Sequence, residues 1–434
     1  MTLLITTACN KQIEPRFKTA SIDNDFHTSP PVVSVTEPFD VGTKTVYTTG
    51  TITLPTGSWV LNDALIGNSA DDHKHGSQAV RIINNGQLNM SFGFGYGVAE
   101  INISHAVYGN DGASNWELWL SADNGLSYFK VGQTITTSSI NMQEVSFLVN
   151  EYSNEVRLSI RKTSGGTNRL NIDDITLTSR TISLPPDDDH LLMGNPSLAT
   201  MDMVNQNNYL MFKGYYTIAH NQTKGTPNWV SWHLTNSDIG TTLRQDDFRA
   251  DNTLPFGWYQ VNETSYSGSG FDRGHNCPSG DRTESVAANS STFLMTNMIP
   301  QAPNNNQQTW ANLETYTRSL VTAGNEVYVI MGSYGIGGIG NNGSANTINN
   351  GNVVVPANIW KVVIVLPVGN NDIYRVNTST RVIAVNTPNT NTINSNWRNY
   401  RVSVDDIEAA TGYNLLHHLP VHVQAAVESV VDNL

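Results

Sequence analysis

His275 stands in the run Asp272-Arg-Gly-His-Asn-Cys-Pro-Ser-Gly-Asp-Arg282. An imidazole with a free ring nitrogen can take a proton from a nearby water, and its ordinary pKa of about 6.5 suits a general base. Arg273, two residues earlier, falls beside the same cleft if the backbone is extended, and a guanidinium fork fits phosphate oxygens. Gly274 between them permits close approach of backbone and substrate. Cys277 invites a thiol-nucleophile reading, but it reads better as a small packing residue. Asp281 and Arg282 close the run as an expected ion pair.

A second constellation follows: Thr296-Asn-Met-Ile-Pro-Gln301, then Asn304-Asn-Asn-Gln-Gln-Thr-Trp-Ala-Asn-Leu-Glu314, then Arg318. The spacing predicts a helix over 307–323, with Trp310, Leu313, Thr317 and Leu320 on one face. Asn306 and Glu314 lie a little over two turns apart and share a flank, with Arg318 one turn further on. An amide oxygen and a carboxylate are hard ligands, suited to Mg²⁺ or Mn²⁺ and poorly suited to Zn²⁺. So sparse a ligand set leaves coordination positions for water and phosphate, as a cation assisting phosphoryl chemistry requires. Blander roles stand beside these: Asn306 could cap the helix, and Arg318 could pair with Glu314 at i,i+4.

The elements that must position these residues change character along the chain. From about 38 to 178, apolar and polar residues alternate in short runs, cut by turns such as Asn84-Asn-Gly86 and Asp123-Asn-Gly125, and a β-sandwich is expected. Trp116 and Trp119 read as core, and His73-Lys74-His75 as a solvated loop. Residues 179–199, with Pro185, Pro186 and an acidic run, read as an extended spacer. Beyond them strand-like runs (230–234, 327–332, 360–366, 381–385) alternate with helical ones, which indicates α+β. Ser403 and Asp406 form a candidate capping box for a helix over 404–411 that Gly412 closes. The Gly-rich stretch 332–343 lacks the Lys-Ser/Thr of a phosphate loop and reads as a mobile surface loop.

The chain has 434 residues, enough for two domains. Charged residues are only 14% of it and the formal net charge is −13, which argues against tight, sequence-reading binding to nucleic acid. It leaves room for a turnover enzyme with a few Arg and a metal at one cleft. The two cysteines, Cys9 and Cys277, are far apart, and nothing favours a bridge between them. No stretch is long enough to span a bilayer. The start, Met1 to Lys11 with Cys9 after small residues, resembles the tail of a bacterial lipoprotein signal without its charged region, so a secreted or outer-surface lipoprotein is expected.

The two constellations together resemble the DNA/RNA non-specific endonuclease family, of ββα-metal (His-Me finger) fold and endonuclease G-like. Tyr209-Leu-Met-Phe212, Pro227-Asn-Trp-Val-Ser-Trp-His-Leu-Thr235, Phe248-Arg-Ala-Asp251 and Trp397-Arg-Asn-Tyr-Arg-Val-Ser403 extend the resemblance over roughly 190–434. It implies hydrolysis of internal phosphodiester bonds in DNA and RNA. His275 would be the general base and Asn306 the direct ligand of Mg²⁺ (or Mn²⁺), with Glu314 holding a metal-bound water. Arg273 and Arg318 would neutralise phosphate, Asn297 would support the geometry and Asp272 would brace the motif. The resemblance also implies a further basic residue upstream, for which Arg244 and Arg249 are both candidates.

Trp116-Glu-Leu-Trp-Leu-Ser-Ala-Asp-Asn-Gly125 and Leu170-Asn-Ile-Asp-Asp-Ile175 resemble the jelly-roll accessory domains of bacterial surface enzymes, which bind glycans or act as spacers. The expected organisation is therefore an export remnant and tether (1–30), an all-β jelly-roll sandwich (31–180), a linker (181–195) and the nuclease domain (196–434). The rival reading is a cell-surface glycan- or matrix-binding protein carrying an inactive nuclease fold. The intact Asp272, Arg273, His275, Asn306 and Glu314 speak against it.

Overall fold

The computed structural model describes residues 32–180 and 186–434. The signal-like start with Cys9 and its tether lie outside the described residues. Among the described residues no helix is long and apolar enough to cross a membrane.

The first domain is built from ten antiparallel strands in one hydrogen-bonded sheet. Its main path runs Phe129–Thr137, Ser114–Ser121, Arg157–Lys162, Ala79–Met90, Leu170–Thr178, Val98–Val107, Gln143–Glu151. Strand alternation sends Trp116, Leu118 and Leu120 inward, where they meet Trp59, Ile160 and Phe147 in one core. The pairing runs on through the long strand Ala79–Met90, whose residues 80–82 pair with Leu170–Thr178 and whose residues 87–89 pair with Arg157–Lys162. Trp119 departs from the core expectation: it lies on the outer face, half-buried beneath the Arg161 guanidinium, 4.3 Å from its ring centroid. Trp116 and Trp119 are three residues apart on one strand, and the pleat sends them to opposite faces. The His73–His75 loop is anchored rather than solvated, because Asn171 and Asp173 accept its backbone N–H groups at 3.1 and 2.8 Å.

The second domain centres on a seven-stranded antiparallel sheet in the order Tyr209–Phe212, Thr217–Asn221, Thr226–Leu234, Asn325–Tyr334, Asn358–Pro367, Arg381–Pro388, Arg401–Val402. Its inner strands are buried on both faces, which explains their nearly continuous apolar runs. Alternate residues feed two cores. Trp229, Tyr328, Ile330, Trp360 and Val362 face the C-terminal helices Val404–Thr411 and Val421–Glu428. Trp232, Val327, Val329 and Val363 face the opposite side, where Trp310, Leu313, Cys277 and Ile299 pack.

Ser403 and Asp406 form the capping box, and Gly412 closes that helix at φ 74°. The stretch from Asp187 to Met193 is not a free spacer. Leu192 and Met193 are buried in the second core, and Asp187 accepts the Asp372 backbone N–H at 2.9 Å. Leu191-Leu-Met193 is an apolar triplet that an exposed linker would leave in water. The two domains also touch: Asn150 Nδ2 donates to the His417 and Leu419 carbonyls, and Phe129 stacks on His422 with ring centroids 3.7 Å apart. The Gly-rich stretch is ordered into strand as well. Gly332 belongs to the strand Asn325–Tyr334, and Gly338–Gly340 pairs with Gly343–Ala345.

Candidate functional site

The strand Asp272–His275 pairs antiparallel with Met298–Gln301, Asp272 opposite Gln301 and His275 opposite Met298. The chain then enters a helical run at Pro303 that continues to Thr322. The pleat places Arg273 and His275 on one face of the ribbon and Asp272 and Gly274 on the other. Asn297 locks the ribbon from behind: its Oδ1 accepts the Cys277 N–H at 3.0 Å, and its Nδ2 donates to the Cys277 and Thr292 carbonyls. Cys277 is completely buried and its thiol pKa is pushed up, which suits packing and not nucleophilic attack.

Gly274 has a local reason different from substrate approach. A Cβ there would lie 2.3 Å from Gln301 Oε1 and 2.6 Å from Gln301 Cβ, and Gln301 is itself fully buried. Gly274→Ala is therefore expected to cost about 1–3 kcal/mol, as overpacking does. Chemical denaturation of the variant beside the wild type measures it, and an unchanged midpoint would remove this account of the glycine.

His275 is 9% exposed and its Nε2 has no hydrogen-bond partner. Its ring meets Phe293 and Phe248 edge-on, at centroid distances of 5.0 and 5.7 Å. The two phenyl rings also carry the cations: Arg273 lies 3.8 Å over Phe248, and Arg244 4.8 Å over Phe293. Burial, reinforced by Arg244 and Arg273, pulls the imidazole pKa down to about 3. The ring is thus neutral and its buried nitrogen unengaged.

Beside this group opens a cleft of about 360 Å³ lined by Arg244, Phe248, Glu263, Asp272, Arg273 and Asn306, among others; His275 is not in its wall and adjoins it through Phe248 and Arg273. Both candidate arginines are paired, Arg244 with Asp246 at 2.6 Å and Ser279 Oγ at 2.7 Å, Arg249 with Asp247 and the Ser290 carbonyl, but of the two Arg244 alone lines the cleft. The geometry therefore selects Arg244 as the upstream cation. Asp272 Oδ2 accepts from Asn306 Nδ2 and from Gln307 Nε2, both at 2.8 Å. A carboxylate can only accept, so this bond fixes the amide's orientation and leaves Asn306 Oδ1 free.

The helix begins with a π turn over Asn305–Trp310, in which the Ala311 N–H reaches back to the Asn306 carbonyl, before the α-helix Ala311–Thr322. Eight residues of α-helix would leave Asn306 and Glu314 roughly 80° apart around the axis. The wider turn closes part of that offset. Nor does Asn306 cap the helix, whose N-terminal residue makes no side-chain cap bond.

Glu314 and Arg318 sit farther along, in an ionic group that the sequence reading did not foresee. Arg318 pairs with Asp281 at 2.8 Å, so the expected partnership of Asp281 with Arg282 does not form. Arg282 instead donates to the Tyr215 and His233 carbonyls. Glu314 lies 4.0 Å from the ammonium of Lys361, which is 1% exposed between the rings of Trp232 and Trp310. Burial raises the Glu314 pKa, and Lys361, Arg318 and Arg244 oppose it. Burial correspondingly lowers that of Lys361, against Glu314. Arg244 favours the deprotonated form of both His275 and Glu314, more weakly at Glu314, where burial, Lys361, Arg318 and Asp281 weigh more. A readable sign of Lys361 was its place as the one charge in Ile359-Trp-Lys-Val-Val-Ile-Val-Leu366.

A neutral buried imidazole, cations held on aromatic rings and a free amide oxygen beside a carboxylate make up a site fit for a phosphate ester. Comparison with known sequences agrees. The sequence model of the DNA/RNA non-specific endonuclease family matches residues 194–422, just over half of the chain. A nuclease of Nostoc sp. (strain PCC 7120 / SAG 25.82 / UTEX 2576) is 48% identical over 244 residues, covering 56% of this chain and 86% of that protein. Nuclease C1 of Cunninghamella echinulata var. echinulata is 32% identical over 217 residues, covering 48% and 82%. Human mitochondrial endonuclease G is 35% identical over 130 residues, covering 29% and 43%. The chain belongs to the DNA/RNA non-specific endonuclease family.

Proposed function

We propose that this protein is a divalent-metal-dependent endonuclease that hydrolyses internal phosphodiester bonds of DNA and RNA, with His275 as its general base. The observation that carries the reading is a neutral, unengaged His275 packed against Phe248 and Phe293, beside the cation-lined cleft in which Asp272 leaves the amide oxygen of Asn306 free.

The donor set fits a hard divalent cation such as Mg²⁺ or Mn²⁺: Asn306 Oδ1 would hold it directly, and Glu314, on the same helix, through water. When bound there, such a cation supplies positive charge against the phosphate and the departing 3′ oxygen. His275 takes the proton of a water aligned with phosphorus. Arg273 and Arg244 meet the phosphate oxygens, and the substrate's negative charge offsets the two cations that depress the imidazole's basicity. Arg318, held by Asp281, and Glu314, held by Lys361, keep the helix face charged and ordered. We read this arrangement as a ββα-metal constellation; the paired strands Asp272–His275 and Met298–Gln301 and the helix after them support that reading. Contacts confined to phosphate leave base edges and the 2′-hydroxyl unread, which gives indifference to the sugar.

We read the first domain as a jelly-roll accessory module for a glycan or matrix ligand, and the protein as exported. Its polar, weakly charged composition and signal-like start support export.

Plasmid DNA and total RNA incubated with the protein test the function. Both are expected to be nicked and degraded with Mg²⁺ or Mn²⁺ and to survive with excess chelator. Intact plasmid and RNA in both metals would overturn the proposal.

A further inference from the structure

The helices Val404–Thr411 and Val421–Glu428 pack together beneath the central sheet, on the face away from the cleft. Where they meet, Asp405, Glu408 and Glu428 converge, each offering a carboxylate oxygen within 4.8 Å of the other two. Glu428 is 6% exposed and its Oε1 is buried without a hydrogen-bond partner. Glu408 accepts one backbone N–H, from Leu415 at 2.6 Å. Among the described residues no Lys or Arg pairs with any of the three. An ionised carboxylate oxygen left bare in the interior costs the desolvation of a charged group, and burial with the neighbouring Glu408 and Asp405 pushes the Glu428 carboxyl up to about 8.

The other convergent groups among the described residues already have their compensation. Among His233, Glu326 and Asp372, the Arg375 guanidinium reaches both carboxylates at 2.5 Å. Among His75, Asp173 and Asp174, the buried Asp173 accepts two backbone N–H groups and His75 pairs with Asp174. The trio at the C-terminal helices is the one left open.

We propose that Asp405, Glu408 and Glu428 bind a calcium ion that clamps the two C-terminal helices to each other. Three oxygens within 4.8 Å of one another lie no more than about 2.8 Å from a common centre, so side-chain shifts of a few tenths of an ångström bring all three into the Ca²⁺–oxygen range of about 2.3–2.6 Å. Three carboxylates, all oxygen donors, suit Ca²⁺, whose coordination is flexible, better than Mg²⁺, which demands near-ideal octahedra and keeps its waters. Asp405 is exposed, so water completes the shell from that side. The site is structural. It joins the last helix of the chain to the core without touching the cleft residues, and its cation differs from the one held at Asn306.

The test uses the full chain carrying Asn306→Ala, which removes the cleft ligand, and follows Ca²⁺ by calorimetry and thermal unfolding. Ca²⁺ at about a hundredfold over Kd is expected to raise Tm by roughly 5–10 °C. Adding Glu428→Gln is expected to remove one bound Ca²⁺ per chain together with that shift. In the otherwise wild-type chain, Glu428→Gln should leave plasmid cleavage with Mg²⁺ unchanged. Asp405→Asn, at an exposed position, keeps the test open should the Glu428 variant fold poorly, and is expected to weaken Ca²⁺ binding about tenfold. Equal Ca²⁺ stoichiometry and equal Tm shift with and without these substitutions, or no Ca²⁺ bound by the Asn306→Ala chain, would overturn the proposal.

Discussion

Replacing His275 with alanine lowers the rate of plasmid cleavage by about 10²–10⁴-fold, the range that a positioned general base contributes. Because the ring is packed between Phe248 and Phe293, its removal also leaves a void. His275→Gln, which fills more of that space, is the companion variant. Both should lose catalysis, while the Gln variant unfolds close to the wild-type temperature. The pH dependence carries a separate sign. The neutral ring is the active form, and its pKa in the free protein is held down to about 3 by burial, then Arg244 and Arg273. It is therefore deprotonated throughout the neutral range, and protonation stops it only as pH falls toward that value. A profile of kcat/KM, which reports the free enzyme, should show no His275 limb between roughly pH 5 and 8. A limb near 6.5 that vanishes in the variant would contradict the buried, neutral ring.

The second large effect is expected at Asn306. Truncation to alanine removes the free amide oxygen and should slow cleavage by about 10²–10³-fold, the scale for loss of one preorganised group on the reacting charge. It should also weaken Mn²⁺ binding measured without substrate. Asn306→Asp is not expected to rescue, although a carboxylate is the stronger ligand. It would set a second carboxylate against Asp272 Oδ2, where the amide now donates a hydrogen bond at 2.8 Å. Asp272→Ala should act in the same direction more weakly, by about 10–100-fold in metal affinity, because it frees the amide to rotate without removing its oxygen. Wild-type Mn²⁺ affinity in Asn306→Ala would show that the cation is held elsewhere.

Much of this arrangement could be read from residue order alone, for identifiable reasons. The strands over 230–234, 327–332, 360–366 and 381–385 were readable because strands buried on both faces need unbroken apolar runs. The helix 404–411 was readable to its ends, because Ser403, Asp406 and Gly412 act locally on the backbone. What needed coordinates were the pairings between distant segments. Arg318 offered Glu314 one turn away, yet its partner is Asp281, brought from 37 residues upstream by the ribbon. Arg244 and Arg249 each have an aspartate nearby in sequence and could not be told apart until the fold set Arg244 over Phe293 in the cleft wall and left Arg249 outside it. The π turn at Asn305–Trp310 has no propensity signature, since tertiary packing and not local preference selects it. Leu191–Met193 was hidden by the prolines and aspartates before it, which suggested a spacer where three apolar side chains were about to enter a core.

The most direct test of the central claim is the anomalous signal of Mn²⁺ soaked into crystals of the wild-type protein. The account predicts a peak at bonding distance from Asn306 Oδ1, with a water between it and Glu314 and the His275 ring facing the same space. A peak out of reach of residue 306, with full cleavage activity in the same metal, would contradict it.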